Sequence, residues 1–122
     1  MKLHLAAPSG QNMFTGYGPG YVAVNNVRHE KHLVVTADQV MEWNIENFEA
    51  LSVEAFESLL ALTPEIVLLG TGSVLRFPAP ALTRRLATGG IGLEVMDTRA
   101  ACRTYNILMA EGRKVMAAIL VS

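Results

Sequence analysis

An α/β domain with a mixed sheet is the fold class the sequence predicts, and three observations carry it. Between residues 66 and 121, apolar runs of strand length alternate with stretches of helical period, in the order β-α-β-α-β. Upstream, residues 18–43 are rich in β-branched and aromatic residues and are punctuated by glycine, proline and asparagine. The alternating part calls for parallel strands with right-handed crossovers, and the upstream part for an N-terminal antiparallel hairpin. Finally, no repeat, low-complexity tract or linker divides the 122 residues, of which 51% are hydrophobic, enough for one core. The expectation is a single compact layered domain over residues 1–122.

The elements follow in order. In Gly18-Pro19-Gly20, proline suits the second position of a tight turn and glycine supplies positive φ at the third. Strand pairing is expected to begin at Tyr21, with YVAV and HLVVT forming a hairpin over 21–36. Its connection is irregular and charged, and starts at Asn25-Asn26, which tolerates left-handed backbone. A short strand is expected at 40–43. Ser52 then caps a helix with Val53, Phe56, Leu59 and Leu60 on one stripe, ended by Thr63-Pro64. Residues 66–69 form a strand, 79–88 a helix opened by Pro78 and Pro80 and stopped by Gly89-Gly90, and 91–96 a strand. Thr98 caps a helix reaching about Glu111 before Gly112, and 115–121 is the last strand.

Composition removes several function classes. No apolar run approaches the ~20 residues that span a bilayer, so no transmembrane segment is expected. The net charge of −1 offers little attraction to a polyanion, and nucleic acid is not an expected partner. MKLHLAAPSG is too short and interrupted for a secretory signal and lacks the arginines of a transit peptide, which makes the cytoplasm the expected location. Cys102 is the single cysteine, so no internal disulfide forms and a reducing compartment fits. Charge is unevenly placed: Asp38 to Glu65 is acidic, and Arg76 to Lys114 is mostly basic. The two segments are expected to solvate opposite sides of the domain rather than form a docking surface.

Gly70-Thr71-Gly72 follows a strand, as a dinucleotide fingerprint does, but Leu75 stands where the third glycine belongs and no Gly-Lys-Ser/Thr ending follows. Two readings remain, a tight turn with no ligand or a turn whose backbone N–H groups face one. In 96–113, Ala101, Cys102, Tyr105, Leu108 and Met109 form a buried stripe, leaving Arg99, Arg103 and Asn106 on another face. Arginines in a first helical turn oppose the helix dipole. Asp97, a bound anion or an acidic partner would compensate. If the strands ending near residues 69 and 96 are parallel neighbours, Gly70, Thr71, Gly72, Arg76, Asp97, Thr98, Arg99 and Arg103 converge on an anion pocket at the carboxyl edge.

No catalytic apparatus is evident. Cys102 has no histidine near it in sequence, and its helical position favours burial. His29 and His32 lack metal-site spacing, so no metal and no cofactor are expected. Trp43 and Phe48 are expected to be buried rather than to anchor a partner.

With GYGPGYVAVN, LLGTGSVLRFP, GIGLEVMDT and ACRTYNILMAEGR in hand, the chain resembles a family of small, mostly uncharacterised proteins with the Mth938-like domain. Its eukaryotic branch includes the mitochondrial respiratory complex I assembly factor 3. The matching positions are Gly70, Thr71, Gly72, Phe77, Pro78, Gly92, Asp97, Thr98 and the run Ala101-Cys102-Arg103-Thr104-Tyr105-Asn106. The resemblance implies a mixed-sheet α/β fold and a non-enzymatic role in protein interaction or assembly, with a membrane-complex subunit or assembly partner as ligand. It leaves homo-oligomerisation open. The residues themselves support an alternative, a small anionic-ligand-binding protein or cryptic enzyme using the carboxyl-edge pocket.

Overall fold

The computed structural model describes residues 10–122, so the reading of the extreme N-terminus as free of a targeting signal lies outside the described residues apart from Gly10. Among the described residues, eight strands and three α-helices follow in order: β1 (Phe14–Gly18), β2 (Tyr21–Val24), β3 (Val27–His29), β4 (Leu33–Val35), β5 (Val40–Glu42), α1 (Val53–Leu60), β6 (Ile66–Gly70), α2 (Pro80–Thr88), β7 (Gly92–Met96), α3 (Thr98–Ala110) and β8 (Val115–Ile119). A 3₁₀ turn, Phe48–Ala50, precedes α1.

The strands divide into two sheets. β1-β2-β3 is a small antiparallel sheet, and β5-β4-β8-β6-β7 is a larger mixed one. In the larger sheet β6 runs parallel to both β7 and β8, while β4 is antiparallel to β5 and β8. The mixed α/β domain therefore forms with its parallel β-α-β-α-β part intact.

The hairpin expected over 21–36 is corrected. Asn25 and Asn26 both take positive φ, 51° and 68°, and this two-residue turn sends the chain straight back along β2 as β3. HLVVT is thereby released to pair in the other sheet as β4. Pairing also begins earlier than Tyr21, because Phe14–Gly18 returns as β1 through Gly18-Pro19-Gly20, where Gly20 has φ 76°. The FTGYG segment of β1 has two glycines and a register shift between Phe14 and Gly16, which erase the period-2 signal.

Strand β8 lies at the centre of the large sheet, between β4 and β6, and is buried along its whole length. Its alternation divides the core. Val115, Ala117 and Ile119 pack with Leu33, Val35 and Leu68 against α3 and the small sheet. Met116, Ala118 and Leu120 pack with Val34, Val67 and Leu69 against Phe56, Leu59 and Leu86 of α1 and α2.

Helix α3 holds the small sheet in place. The Asn106 side chain acts as a strand would: its Nδ2 donates to Phe14 O at 2.8 Å and its Oδ1 accepts from Phe14 N at 2.9 Å. Tyr105 donates its hydroxyl to Asn12 O at 3.1 Å, and its ring meets that of Phe14 edge-on at 5.2 Å. The acidic and basic segments of the chain also meet at two points. Glu49 pairs with Arg76 at 2.6 Å and Glu57 with Arg85 at 2.9 Å, joining the acidic middle of the chain to its basic part.

Replacing Asn106 with Ala leaves both main-chain groups of Phe14 without their partner and is expected to lower stability by about 1–3 kcal/mol. Tyr105→Phe deletes one bond and keeps the ring, for about 0.5–1.5 kcal/mol. Urea unfolding of both variants checks the order; equal losses would mean that Asn106 is not what docks β1.

Candidate functional site

The two turns that carry the expected site residues meet at the carboxyl edge of β6 and β7. Gly70 pairs with Met96, so the turn after β6 and the start of α3 are neighbours. Thr98 N donates to Gly72 O at 2.9 Å, Gly72 N donates to the Thr98 hydroxyl at 2.8 Å, and that hydroxyl donates to Leu120 O at 2.6 Å. One buried side chain thus ties the β6 turn, the first turn of α3 and the end of β8. The glycines are required by contact. A Cβ on Gly70 would stand 2.9 Å from Ile119 Cδ1 and 3.1 Å from Thr98 Cα. Gly72 has φ 91°, and a Cβ there would come within 2.7 Å of the Ser122 hydroxyl.

This packing changes the role of the turn. Thr71 N donates to Met96 O at 2.9 Å, Gly72 N to Thr98, and Ser73 N to Ser122 Oγ at 2.8 Å. All three donors are held by the protein itself, so the reading in which this backbone faces a ligand is corrected. Thr71, buried, turns its hydroxyl to Val74 O at 2.7 Å and accepts from Arg76 N at 3.2 Å, folding residues 71–76 into a pinned loop.

The first turn of α3 is also rearranged from expectation. Asp97, not Thr98, is the cap: its carboxylate accepts from Ala100 N at 2.9 Å. Asp97 takes the capping position because the Thr98 hydroxyl is drawn inward to Leu120. No arginine pairs with Asp97 among the described residues.

The arginines divide into two groups. Arg76 turns away from the edge, to Glu49 at 2.6 Å and over the Phe48 ring at 4.4 Å, and does not converge with the others. Arg99 and Arg103 both reach Tyr17. The Arg103 guanidinium donates to the Tyr17 hydroxyl at 3.1 Å, and that of Arg99 lies 5.7 Å from the ring centre. Beside them is a cavity of about 230 Å³, lined in part by Tyr17, Tyr21, Gly72, Ser73, Arg99 and Ser122. The tyrosines were absent from the sequence-derived set, although GYGPGY places them on either side of its turn.

The same stretch exposes what the sequence treated as a lead-in. Val74, Leu75 and Phe77 are 62%, 48% and 70% exposed. Their signal was available in SVLRFP, three apolar residues without helical or strand period.

Other expected residues are structural. Cys102 is fully buried and its thiol is pushed up from 9.0 to about 12, chiefly by burial against the lowering influence of Arg103. Burial likewise raises the Tyr105 phenol. Trp43 is buried edge-on to Phe56, whereas Phe48 is half-buried beneath Arg76. His32 accepts from Val121 N at Nδ1, 2.9 Å, and lies 3.2 Å through Nε2 from Glu46 O, which requires the proton on Nε2. Among the described residues no three His, Cys, Asp or Glu side chains gather as metal ligands.

Residues 14–120 match the family model described as "Protein of unknown function (DUF498/DUF598)". The chain is 30% identical over 109 residues to the "13 kDa major membrane protein" of Francisella tularensis, covering 88% of this chain and 89% of that one. It is 35% identical over 103 residues to the bovine NADH dehydrogenase (ubiquinone) 1 alpha subcomplex assembly factor 3, covering 83% of this chain and 55% of the relative. The chain thus spans little more than half the length of that assembly factor. A crystal structure of a Bordetella parapertussis protein superposes with a TM-score of 0.89 at 38% identity, over 94% of this chain and 99% of that one. A solution structure of a Bordetella pertussis protein, a Mth938-like domain, gives 0.83 at 33% identity over 98% and 92%. No helix among the described residues is long and apolar enough to cross a membrane.

Two measurements test the geometry. Thr98→Val keeps the shape but strands the Gly72 N–H and Leu120 carbonyl, and is expected to cost about 2–4 kcal/mol in urea unfolding, against less than about 1 for Thr98→Ser. Cys102 is neutral in the fold up to about pH 12 but ionises near 9.0 once unfolded. Its contribution to stability is therefore complete below pH 9.0 and is lost as pH rises through 12, by up to about 1.4 kcal/mol per pH unit. Cys102→Ala should flatten that alkaline fall, and a thiol reagent should label Cys102 only on unfolding.

Proposed function

The chain belongs to the DUF498/DUF598 family of proteins of unknown function, with the Mth938-like α/β fold, and on that premise we propose that it is a non-enzymatic interaction protein of the assembly type. Its partner is another protein, in the first instance a subunit or maturation factor of a respiratory NADH dehydrogenase. The observation that carries the reading is the loop following β6. Val74, Leu75 and Phe77 leave their apolar surface in water within four residues of sequence, and large apolar side chains exposed together on one loop suit an interaction site.

The loop is also held in shape before any partner arrives. Thr71 fixes Val74 and Arg76 through its hydroxyl, Ser73 is held by Ser122, and Arg76 is anchored by Glu49 over Phe48. Fixing a binding loop in advance lowers the entropy lost on association. An exposed phenylalanine preceded in the same loop by two exposed aliphatic side chains is suited to fill an apolar pocket on the partner, with Arg76 at the rim. The name of the bovine relative supplies the complex on which to look first.

The test is cross-linking capture from the source cells with the wild-type chain and with a Val74→Ser/Leu75→Ser/Phe77→Ser variant, quantified by mass spectrometry. NADH dehydrogenase subunits or maturation factors should be enriched with the wild type and reduced about tenfold or more with the variant, a loss of about 1.4 kcal/mol or more. Because these side chains are exposed, the variant should melt close to the wild type. Equal recovery by both proteins would sink the loop as the interface, and enrichment without any NADH dehydrogenase component would sink the assembly role.

A further inference from the structure

The cavity beside Tyr17 is separate in chemistry from the apolar loop. We propose that it is a binding site for a small organic monocarboxylate with an apolar body, held by the Arg99 guanidinium and the wall formed by Tyr17, Pro19, Tyr21 and Val121. Four observations lead there. First, Arg99 is the one charged side chain on the wall, and among the described residues neither it nor Arg103 has a carboxylate within salt-bridge distance. The nearby Asp97 carboxylate is committed to Ala100 N. A guanidinium fork matches a carboxylate with two parallel hydrogen bonds.

Second, the turn after β6 offers no cradle to a polyanion. The N–H groups of Thr71, Gly72 and Ser73 all have protein partners, so a phosphate dianion would find no run of free amides in that turn. Third, Tyr17, Pro19, Tyr21 and Val121 give the wall an aromatic and aliphatic part, and it is fixed: Arg103 holds the Tyr17 hydroxyl, and Gly20 N donates to Ser122 O at 2.7 Å. The hydroxyls of Ser73 and Ser122 add polarity at one side. Fourth, about 230 Å³ lies below the ~300–1,000 Å³ of pockets that take drug-sized ligands, which favours a compact ligand.

The site does not depend on the interaction role, because none of Val74, Leu75 or Phe77 lines it. Benzoate is the probe, titrated into the ¹⁵N-labelled full chain and followed by amide shifts, with benzyl alcohol and inorganic phosphate as comparators. Saturable shifts are expected at Gly72, Ser73 and Arg99. Benzyl alcohol and phosphate should each bind about tenfold more weakly or worse, equivalent to about 1.4 kcal/mol. Arg99→Gln should weaken benzoate by a similar factor and Arg99→Lys by less, while Arg84→Gln, at an exposed position of α2, leaves it unchanged. Absence of saturable shifts at those three amides, equal binding of the alcohol, tighter binding of phosphate, or indifference to Arg99→Gln would each overturn the proposal. The amide spectrum of each variant reports its fold in the same experiment.

Discussion

The hydroxyl of Thr98 is the joint on which the carboxyl edge is built. It is buried, and it satisfies a donor from the β6 turn and an acceptor from the end of β8 together. Buried main-chain groups without partners are costly, so these three segments have one economical arrangement. The remaining features follow from it. Gly70 must lack a side chain because Thr98 and Ile119 approach so closely, Gly72 must turn with positive φ, and Asp97 is left to cap α3.

The other pole of the fold is the clamp between α3 and the small sheet. Tyr105 and Asn106 stand on successive positions of one helix and perform different tasks: the first fills the core under Phe14, and the second supplies that residue with hydrogen bonds it would otherwise exchange with a strand. Cys102, one turn earlier, occupies the same apolar layer and is kept neutral by it. The run Ala101-Cys102-Arg103-Thr104-Tyr105-Asn106 therefore has a structural account at Cys102, Tyr105 and Asn106. Arg103 adds a further link to the small sheet through Tyr17.

How much of this was legible depended on the range of the interactions. The strands at 66–70, 92–96 and 115–119 and the three helices were readable because apolar period and capping are local, and the boundaries moved by only a few residues. Strand β1 was not, since a glycine-rich segment with a register shift carries no period of its own and takes its conformation from β2 and Asn106. The hairpin was misassigned because Asn25-Asn26 permits a two-residue turn, and only the presence of a second sheet explains why the later strand was not its partner. That the two turns at the carboxyl edge meet was legible from the parallel pattern. The destinations of the arginines were not: Arg76 finds Glu49, 27 residues away, and Arg103 finds Tyr17, 86 residues away.

The Gly-Thr-Gly turn shows why a glycine pattern is weak evidence for phosphate. A phosphate cradle works by leaving successive N–H groups unpaired and aimed at one point. Here the same residue types serve close packing, and each N–H of the turn ends on a protein oxygen. What remains outside the packed turn is side-chain chemistry: an apolar loop on one side, Arg99 and the tyrosines on the other. Ser73 belongs to both regions, lining the cavity and opening the loop, with its amide fixed to Ser122. The turn is thus better understood as a rigid mount that sets two different surfaces side by side than as a binding loop itself.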